Sequence, residues 1–169
     1  MNTQLNVKEM EAHYYQVNLT WSQDRKGMMC SPELNTPASE NGCIEVATPP
    51  QFPKGVPGIW SPEHLFTAAV TSCFMTTFLS IAENSKLNFT SFSASSRGKL
   101  DKVEGKFRMT EIIIEPYLTI PDDKDRERAL RILIKTEQSC LITNSITSSV
   151  VMNPTIKVTD PSIEETQAA

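Results

Sequence analysis

From Leu65 to Ala82 the chain carries no charged side chain, yet six of these residues bear hydroxyls and one, Cys73, bears a thiol. A helix that is uncharged on every side has no face to give to water, so it must be covered all round. The run "LFTAAVTSCFMTTFLSIA" just reaches the length that crosses a bilayer. Against a span, Thr67, Thr71, Ser72, Thr76, Thr77 and Ser80 dilute it, no second span accompanies it, and no Lys or Arg cluster flanks it. The reading is a buried core helix. Ser61 suits the N-cap, Pro62 the first helical position and Glu63 the first turn, which predicts a helix over 61–84. A domain this small rarely buries a helix completely, so part of it is expected to pack against a second copy of the chain, with two-fold symmetry.

The remaining composition narrows the class. At 169 residues the chain has room for one domain, 1–169, with a sizeable core. A net charge of −4 gives no electrostatic footprint for nucleic acid or an anionic membrane, so neither is an expected partner. "MNTQLNVKEMEAHYYQ" lacks the basic start and apolar run of a secretory signal, which predicts a cytoplasmic address and four thiols rather than structural bridges. Cys30, Cys43, His13 and His64 show no ligand spacing, and no glycine-rich phosphate loop occurs, so no metal and no bound cofactor are expected.

Along the chain, "HYYQVNLTW" alternates as a half-buried strand does, turn chemistry follows at "SQDRKG", and "MMCSPELN" and "CIEVATP" are short strands flanking the turn signal Asn41–Gly42. Cys30 and Cys43 lie where they could face each other across that hairpin. Residues 1–60 thus read as a meander ending in the ordered loop "PPQFPKGVPGIWSP", whose prolines exclude helix and central strand. A second strand block over 88–120 has turns near Arg97–Gly98 and Glu104–Gly105. A second helix over 122–144 shows Leu130, Leu133 and Ile134 at helical spacing on the way to Cys140, and 146–160 forms a terminal hairpin or pair of short strands. Strands, helix, strands, helix, strands without regular βαβ alternation predict an α+β fold, antiparallel sheets around two core helices.

Cys73 and Cys140 are the candidate chemistry. By position alone each reads as core filler, because free cysteine is among the most buried residue types. A reactive thiol needs a depressed pKa. The helix dipole fades within the first turn and cannot supply it three turns in, so a cation would have to come from elsewhere. Two thiols on crossing helices would suit a peroxidatic and a resolving sulfur.

The stretch "SPEHLFTAAVTSCF", preceded by "PPQFPKGVPGIW" and followed by the helical cysteine of "EQSCLITNSI", resembles the osmotically inducible protein C and organic hydroperoxide resistance superfamily. The order of elements over most of the chain is similar too. The resemblance implies an intertwined homodimer with active sites at the subunit interface, acting as a two-cysteine peroxidase on organic hydroperoxides. On that basis Cys73 looks like the peroxidatic thiolate, Cys140 like the resolving thiol, Glu63 like the family's carboxylate and Arg25 like its loop arginine. The glycines usual before that arginine are here Gln23 and Asp24, and the proline usual after the second cysteine is Leu141.

Arg25 would then favour the thiolate and stabilise the leaving alkoxide, with Glu63 holding the guanidinium. Ten helical residues rise about 15 Å, so Glu63 does not reach Cys73 of its own helix, and two antiparallel copies of the helix would share a site. Phe52, Ile59, Trp60, Phe74 and Phe78 are expected to wall an apolar substrate pocket. An external dithiol, by implication a lipoyl group on a reductant protein, would reset the enzyme. The rival readings are a non-catalytic binder of an apolar small molecule and a thiol sensor oxidised once.

Overall fold

The computed structural model describes residues 12–34 and 42–159. Asn41, and with it the expected turn of the 31–42 connection, lies outside the described residues. The chain divides into two compact units, 1–61 and 62–169.

In the first unit, β1 (Asn18–Gln23), β2 (Lys26–Cys30) and β3 (Cys43–Ala47) form an antiparallel sheet in the order β1-β2-β3, as the meander reading expects. The β1–β2 turn bends at Asp24, which takes a left-handed φ of 47°. A 3-10 turn at Pro32–Leu34 follows β2. The β2–β3 register sets Cys30 directly opposite Cys43 with their Cα atoms 4.0 Å apart, and the two sulfurs are bonded. This corrects the expectation of four free thiols: residues held opposite each other across a ladder need no rearrangement to pair. The Pro-rich loop runs back to the sheet, where the Ala47 N–H donates to the Trp60 carbonyl at 2.8 Å.

The second unit is built around α1 (Pro62–Asn84). Val70, Phe74, Phe78 and Ala82 recur every four residues and form one buried stripe. Phe78 stacks on Phe92 with centroids 4.5 Å apart and meets Phe89 edge-on at 5.3 Å. Each large side chain so buried stabilises the fold by about 1.5–3 kcal/mol. Four of the six hydroxyls that make the run look unlike a core helix are satisfied within it. Thr67, Thr71, Ser72 and Thr76 donate to the carbonyls of Glu63, Thr67, Ala69 and Cys73, at 2.9, 2.9, 3.3 and 3.1 Å. By length and composition α1 is apolar enough to cross a membrane. Here it carries the core.

β4 (Ser91–Val103) and β5 (Lys106–Ile120) form a long antiparallel hairpin. Its turn is Glu104–Gly105, both with positive φ, as a primed two-residue turn requires. No turn occurs at Arg97–Gly98, where β4 runs straight through. The glycine there serves a close approach instead, since a Cβ on Gly98 would lie 2.3 Å from Thr67 Oγ1 on α1. Ile112, Ile114, Pro116, Leu118 and Ile120 alternate inward along β5. β6 (Ser149–Met152) and β7 (Thr155–Val158) are the terminal pair of short strands, and both join β5 in parallel rather than pairing with each other. Pro116, with no N–H to give, sits where those two ladders are interrupted.

The second helix is broken. After a 3-10 turn at Asp123–Asp125, α2 (Arg126–Ser139) ends at Cys140, and α3 (Leu141–Ser145) starts anew. Cys140 is extended at φ −66° and ψ 117°. The Asn144 side-chain amide donates to the Gln138 carbonyl at 2.9 Å, satisfying one of the acceptors a helix end leaves open. The buried stripe of α2 is Ala129, Ile132, Leu133 and Thr136, whereas Leu130 and Ile134, expected inside with Leu133, are each 40% exposed.

Candidate active site

Two free thiols meet in the second unit, one on α1 and one at the α2–α3 break. Cys73 is half-buried and Cys140 fully buried. The break in the helix is what builds the site, because it turns the chain after Cys140 so that its amides point at α1. The Ile142 N–H donates to Cys73 Sγ at 3.5 Å, and Thr77 Oγ1, one turn further along α1, lies 4.0 Å from the same sulfur.

These contacts set the order in which the thiols ionise. Burial pushes the Cys73 thiol up, but the Ile142 N–H, the Cys140 thiol, the Thr77 hydroxyl and the Leu141 N–H all favour its anion and together hold it below its ordinary value. Burial likewise raises Cys140, and the Thr143 hydroxyl and N–H only partly oppose this while its interaction with Cys73 raises it further. The Thr143 hydroxyl is buried with no well-aligned hydrogen bond, so its pull on Cys140 is weak. Of the two thiols, Cys73 is therefore the first to ionise and Cys140 the second. Within the second unit, the groups that lower Cys73 are uncharged.

The other expected site residues fall as follows. Glu63 stands in the first turn of α1, and its Oε2 is buried without a hydrogen-bond partner. Arg25 lies exposed in the β1–β2 turn of the first unit, its carbonyl accepting from Thr48 at 3.1 Å. Its guanidinium enters no ion pair among the described residues. Phe52 and Ile59 are half-buried and Trp60 is half-exposed in the Pro-rich loop of that unit. Phe74 and Phe78, expected on a pocket wall, are instead fully buried in the α1 stripe, because their spacing places them on the sheet side of the helix. A cavity of about 790 Å³ opens on the second unit's sheet between Ser93, Ser95, Glu115, Tyr117, Asn153 and Thr155, and neither free cysteine lines it.

Sequence reasoning missed Leu141, Ile142 and Thr77. The i,i+4 spacing of Thr77 from Cys73 was a readable signal. The two amides were not readable, since they act only because the helix breaks at Cys140.

The comparisons with known proteins agree with this architecture. A family model described as OsmC-like protein matches residues 55–155. An uncharacterized protein of Methanocaldococcus jannaschii is 26% identical over 93 residues, 55% of this chain and 48% of that one, so this chain spans about half the length of that relative. An OsmC-like protein of unknown function from Vibrio cholerae superposes with a TM-score of 0.73 at 21% identity, covering 85% of this chain and 99% of that one. An organic hydroperoxide resistance protein OsmC from Legionella pneumophila superposes with a TM-score of 0.67 at 19% identity, covering 88% and 100%. At such identities the superpositions show a shared fold.

Proposed function

This chain belongs to the OsmC-like protein family, and we propose that it is a thiol-dependent peroxidase that reduces organic hydroperoxides to alcohols. The observation that carries the reading is that two free thiols meet at the α2–α3 break, where the Ile142 N–H lies 3.5 Å from Cys73 Sγ and Cys73 is the more acidic of the two. The name of the Legionella protein supports a peroxide-related role.

In the proposed cycle the Cys73 thiolate attacks one oxygen of the O–O bond, which breaks heterolytically. Sulfur is oxidised to sulfenic acid, and the alkoxide leaves and takes up a proton. The Cys140 thiol then condenses with the sulfenic acid, forming the Cys73–Cys140 disulfide and releasing water. An external dithiol, a lipoyl group in our reading, returns two electrons and two protons. The sum is hydroperoxide plus dithiol giving alcohol, water and the oxidised dithiol. Arg25 and Glu63 are assigned the guanidinium and carboxylate that stabilise the leaving alkoxide. The unpartnered Oε2 of Glu63 supports its share of that role, since a buried carboxylate oxygen without a donor is expensive unless a cation meets it. No bound cofactor takes part.

We propose further that the working form is a homodimer in the cytoplasm. α1 leaves Met75 and Leu79 more than two-fifths exposed, and β1 is exposed throughout, with Leu19 and Trp21 bare. Unpartnered apolar faces of this kind suit a second copy.

The test is consumption of cumene hydroperoxide with dihydrolipoamide as reductant. Turnover is expected in the natural protein, with a dimedone adduct on Cys73 in Cys140→Ser and no turnover in Cys73→Ser. Absence of consumption by the natural protein, or undiminished consumption by Cys73→Ser, overturns the reading. Sedimentation should give twice the chain mass of 18.9 kDa.

A further inference from the structure

Six hydroxyls stand along α1, and Thr77 uses its own differently from the threonines around it. We propose that Thr77 is a positioning residue for the peroxide reaction: its hydroxyl follows the sulfur of Cys73 through both protonation states, accepting from the thiol and donating to the thiolate. The inference rests on the assignment of Cys73 as the attacking thiol.

The cause is a shortage of acceptors. A threonine inside a helix ordinarily turns its hydroxyl back onto a carbonyl three or four residues earlier, as Thr67, Thr71 and Thr76 do. For Thr77 the carbonyl four residues earlier is that of Cys73, and a carbonyl oxygen has only two lone pairs. In α1 that oxygen already takes the ladder N–H of Thr77 and, at 3.1 Å, the hydroxyl of Thr76. The Thr77 hydroxyl meets the sulfur of the same residue instead, with Oγ1 4.0 Å from Sγ and either atom able to donate. Among the described residues Thr77 Oγ1 makes no other hydrogen bond. Adjacent threonines thus divide Cys73 between them, one held to its carbonyl and the other to its thiol.

The contact favours one state of the sulfur. A thiol is a weak donor, whereas a hydroxyl donating to an anion makes a charge-assisted bond, roughly twice as strong as a neutral one. The hydroxyl therefore stabilises the thiolate more than the thiol, the direction in which Cys73 is shifted. Thr77 is half-buried, and valine fills the same space without the hydroxyl.

The readout is the pH profile of iodoacetamide alkylation at Cys73, resolved by peptide mass spectrometry. Thr77→Val is expected to move the midpoint upward by about half a pH unit, roughly a threefold change in the ionisation constant, while Thr77→Ser, which keeps the hydroxyl, stays with the natural protein. Ser72→Ala, beside Cys73 in sequence but bonded to the Ala69 carbonyl, leaves the midpoint in place. In the natural protein the Cβ chemical shift of Thr77 should titrate with the Cys73 midpoint and stay flat in Cys73→Ser. Superimposed profiles for Thr77→Val and the natural protein overturn the proposal, as does a Thr77→Ser profile that matches Thr77→Val. A Thr77 shift that ignores Cys73 overturns it even if the valine variant fails to fold. With cumene hydroperoxide, kcat/KM of Thr77→Val should fall about threefold below the midpoint and rejoin the natural value above it. A loss of equal size at every pH would make Thr77 merely structural and overturn the proposal. Alkylation and chemical shifts read ionisation without turnover. An inactive protein that passes them fails as a peroxidase but keeps the role of Thr77 at the sulfur, whereas an active protein that fails them keeps the peroxidase.

Discussion

Gly98→Ala is the substitution whose effect the structure fixes most tightly. A Cβ at residue 98 would stand 2.3 Å from Thr67 Oγ1 and 2.5 Å from Met109 Cε. Met109 can swing its terminal methyl away at little cost, because methionine is unbranched and adaptable. Thr67 cannot yield so easily. It is β-branched, and its hydroxyl is held by a 2.9 Å hydrogen bond to the Glu63 carbonyl. Either that bond is lost, at about 1 kcal/mol, or α1 lifts from β4, and overpacking of this kind costs roughly 1–3 kcal/mol. The loss of unfolded-state freedom on replacing glycine returns about 0.4–1 kcal/mol. The balance is a destabilisation centred near ~1 kcal/mol and at most about 2.5 kcal/mol, hence a melting temperature lower by roughly 2–4 °C at the centre and by no more than about 10 °C for a chain this long. Thermal unfolding followed by circular dichroism measures it. Removing the obstacle in Thr67→Ala/Gly98→Ala should recover part of the loss, so the two single effects should sum to more than the double by on the order of 1 kcal/mol. A Gly98→Ala protein that melts at or above the natural temperature, or penalties that simply add, would refute the claim that this glycine exists to seat the first turns of α1.

The pKa order of the two thiols predicts the pH behaviour. Cys73 lies below and Cys140 above the ordinary thiol value, so alkylating reagents should label Cys73 at pH values where a free thiol is still protonated and leave Cys140 untouched until well beyond them. Equal labelling of both below the ordinary thiol range would contradict the assignment. The linkage signs are opposite: the depressed Cys73 adds stability as pH rises through its folded-state value, and the raised Cys140 withdraws stability as pH rises through the ordinary thiol range. Opening the Cys30–Cys43 bond, whose ends are 13 residues apart, should destabilise the first unit by about 3 kcal/mol. The β2–β3 ladder should nevertheless survive, because its five register pairs do not depend on the sulfurs. Melting the Cys30→Ser/Cys43→Ser protein beside the oxidised one checks this, and equal melting temperatures would remove the bond from the stability account. In cells, a reducing cytoplasm should leave two further alkylatable thiols in the resting protein, so non-reducing mass spectrometry of freshly quenched cells tests the proposed address.

What the sequence made legible, and what it hid, follows from whether the cause is local. The start of α1 at Pro62, the Glu104–Gly105 turn and the alternation of β5 are each dictated by a few adjacent residues, and each stands where the residues put it. Gly98 misled because glycine in a strand has two physical uses, turning and admitting a neighbour, and only the neighbour Thr67 decides between them. Phe74 and Phe78 misled for a similar reason: α1 is apolar on every side, so periodicity names no inward face until β4 chooses one. The break at Cys140 was the deepest omission. "EQSCLITNS" has ordinary helical composition, and what ends α2 there is a full burial of the sulfur beside α1, together with an Asn144 side chain that closes the helix from outside. That one non-local event brings the Ile142 N–H to the sulfur of Cys73. Within the second unit the groups that lower Cys73 are neutral dipoles, which leaves the cation the sequence asked for to be tested at Arg25. Arg25→Ala should slow peroxide reduction and move the alkylation pH profile of Cys73 upward, whereas a profile that stays in place would confine the guanidinium to the leaving alkoxide and remove it from the thiolate.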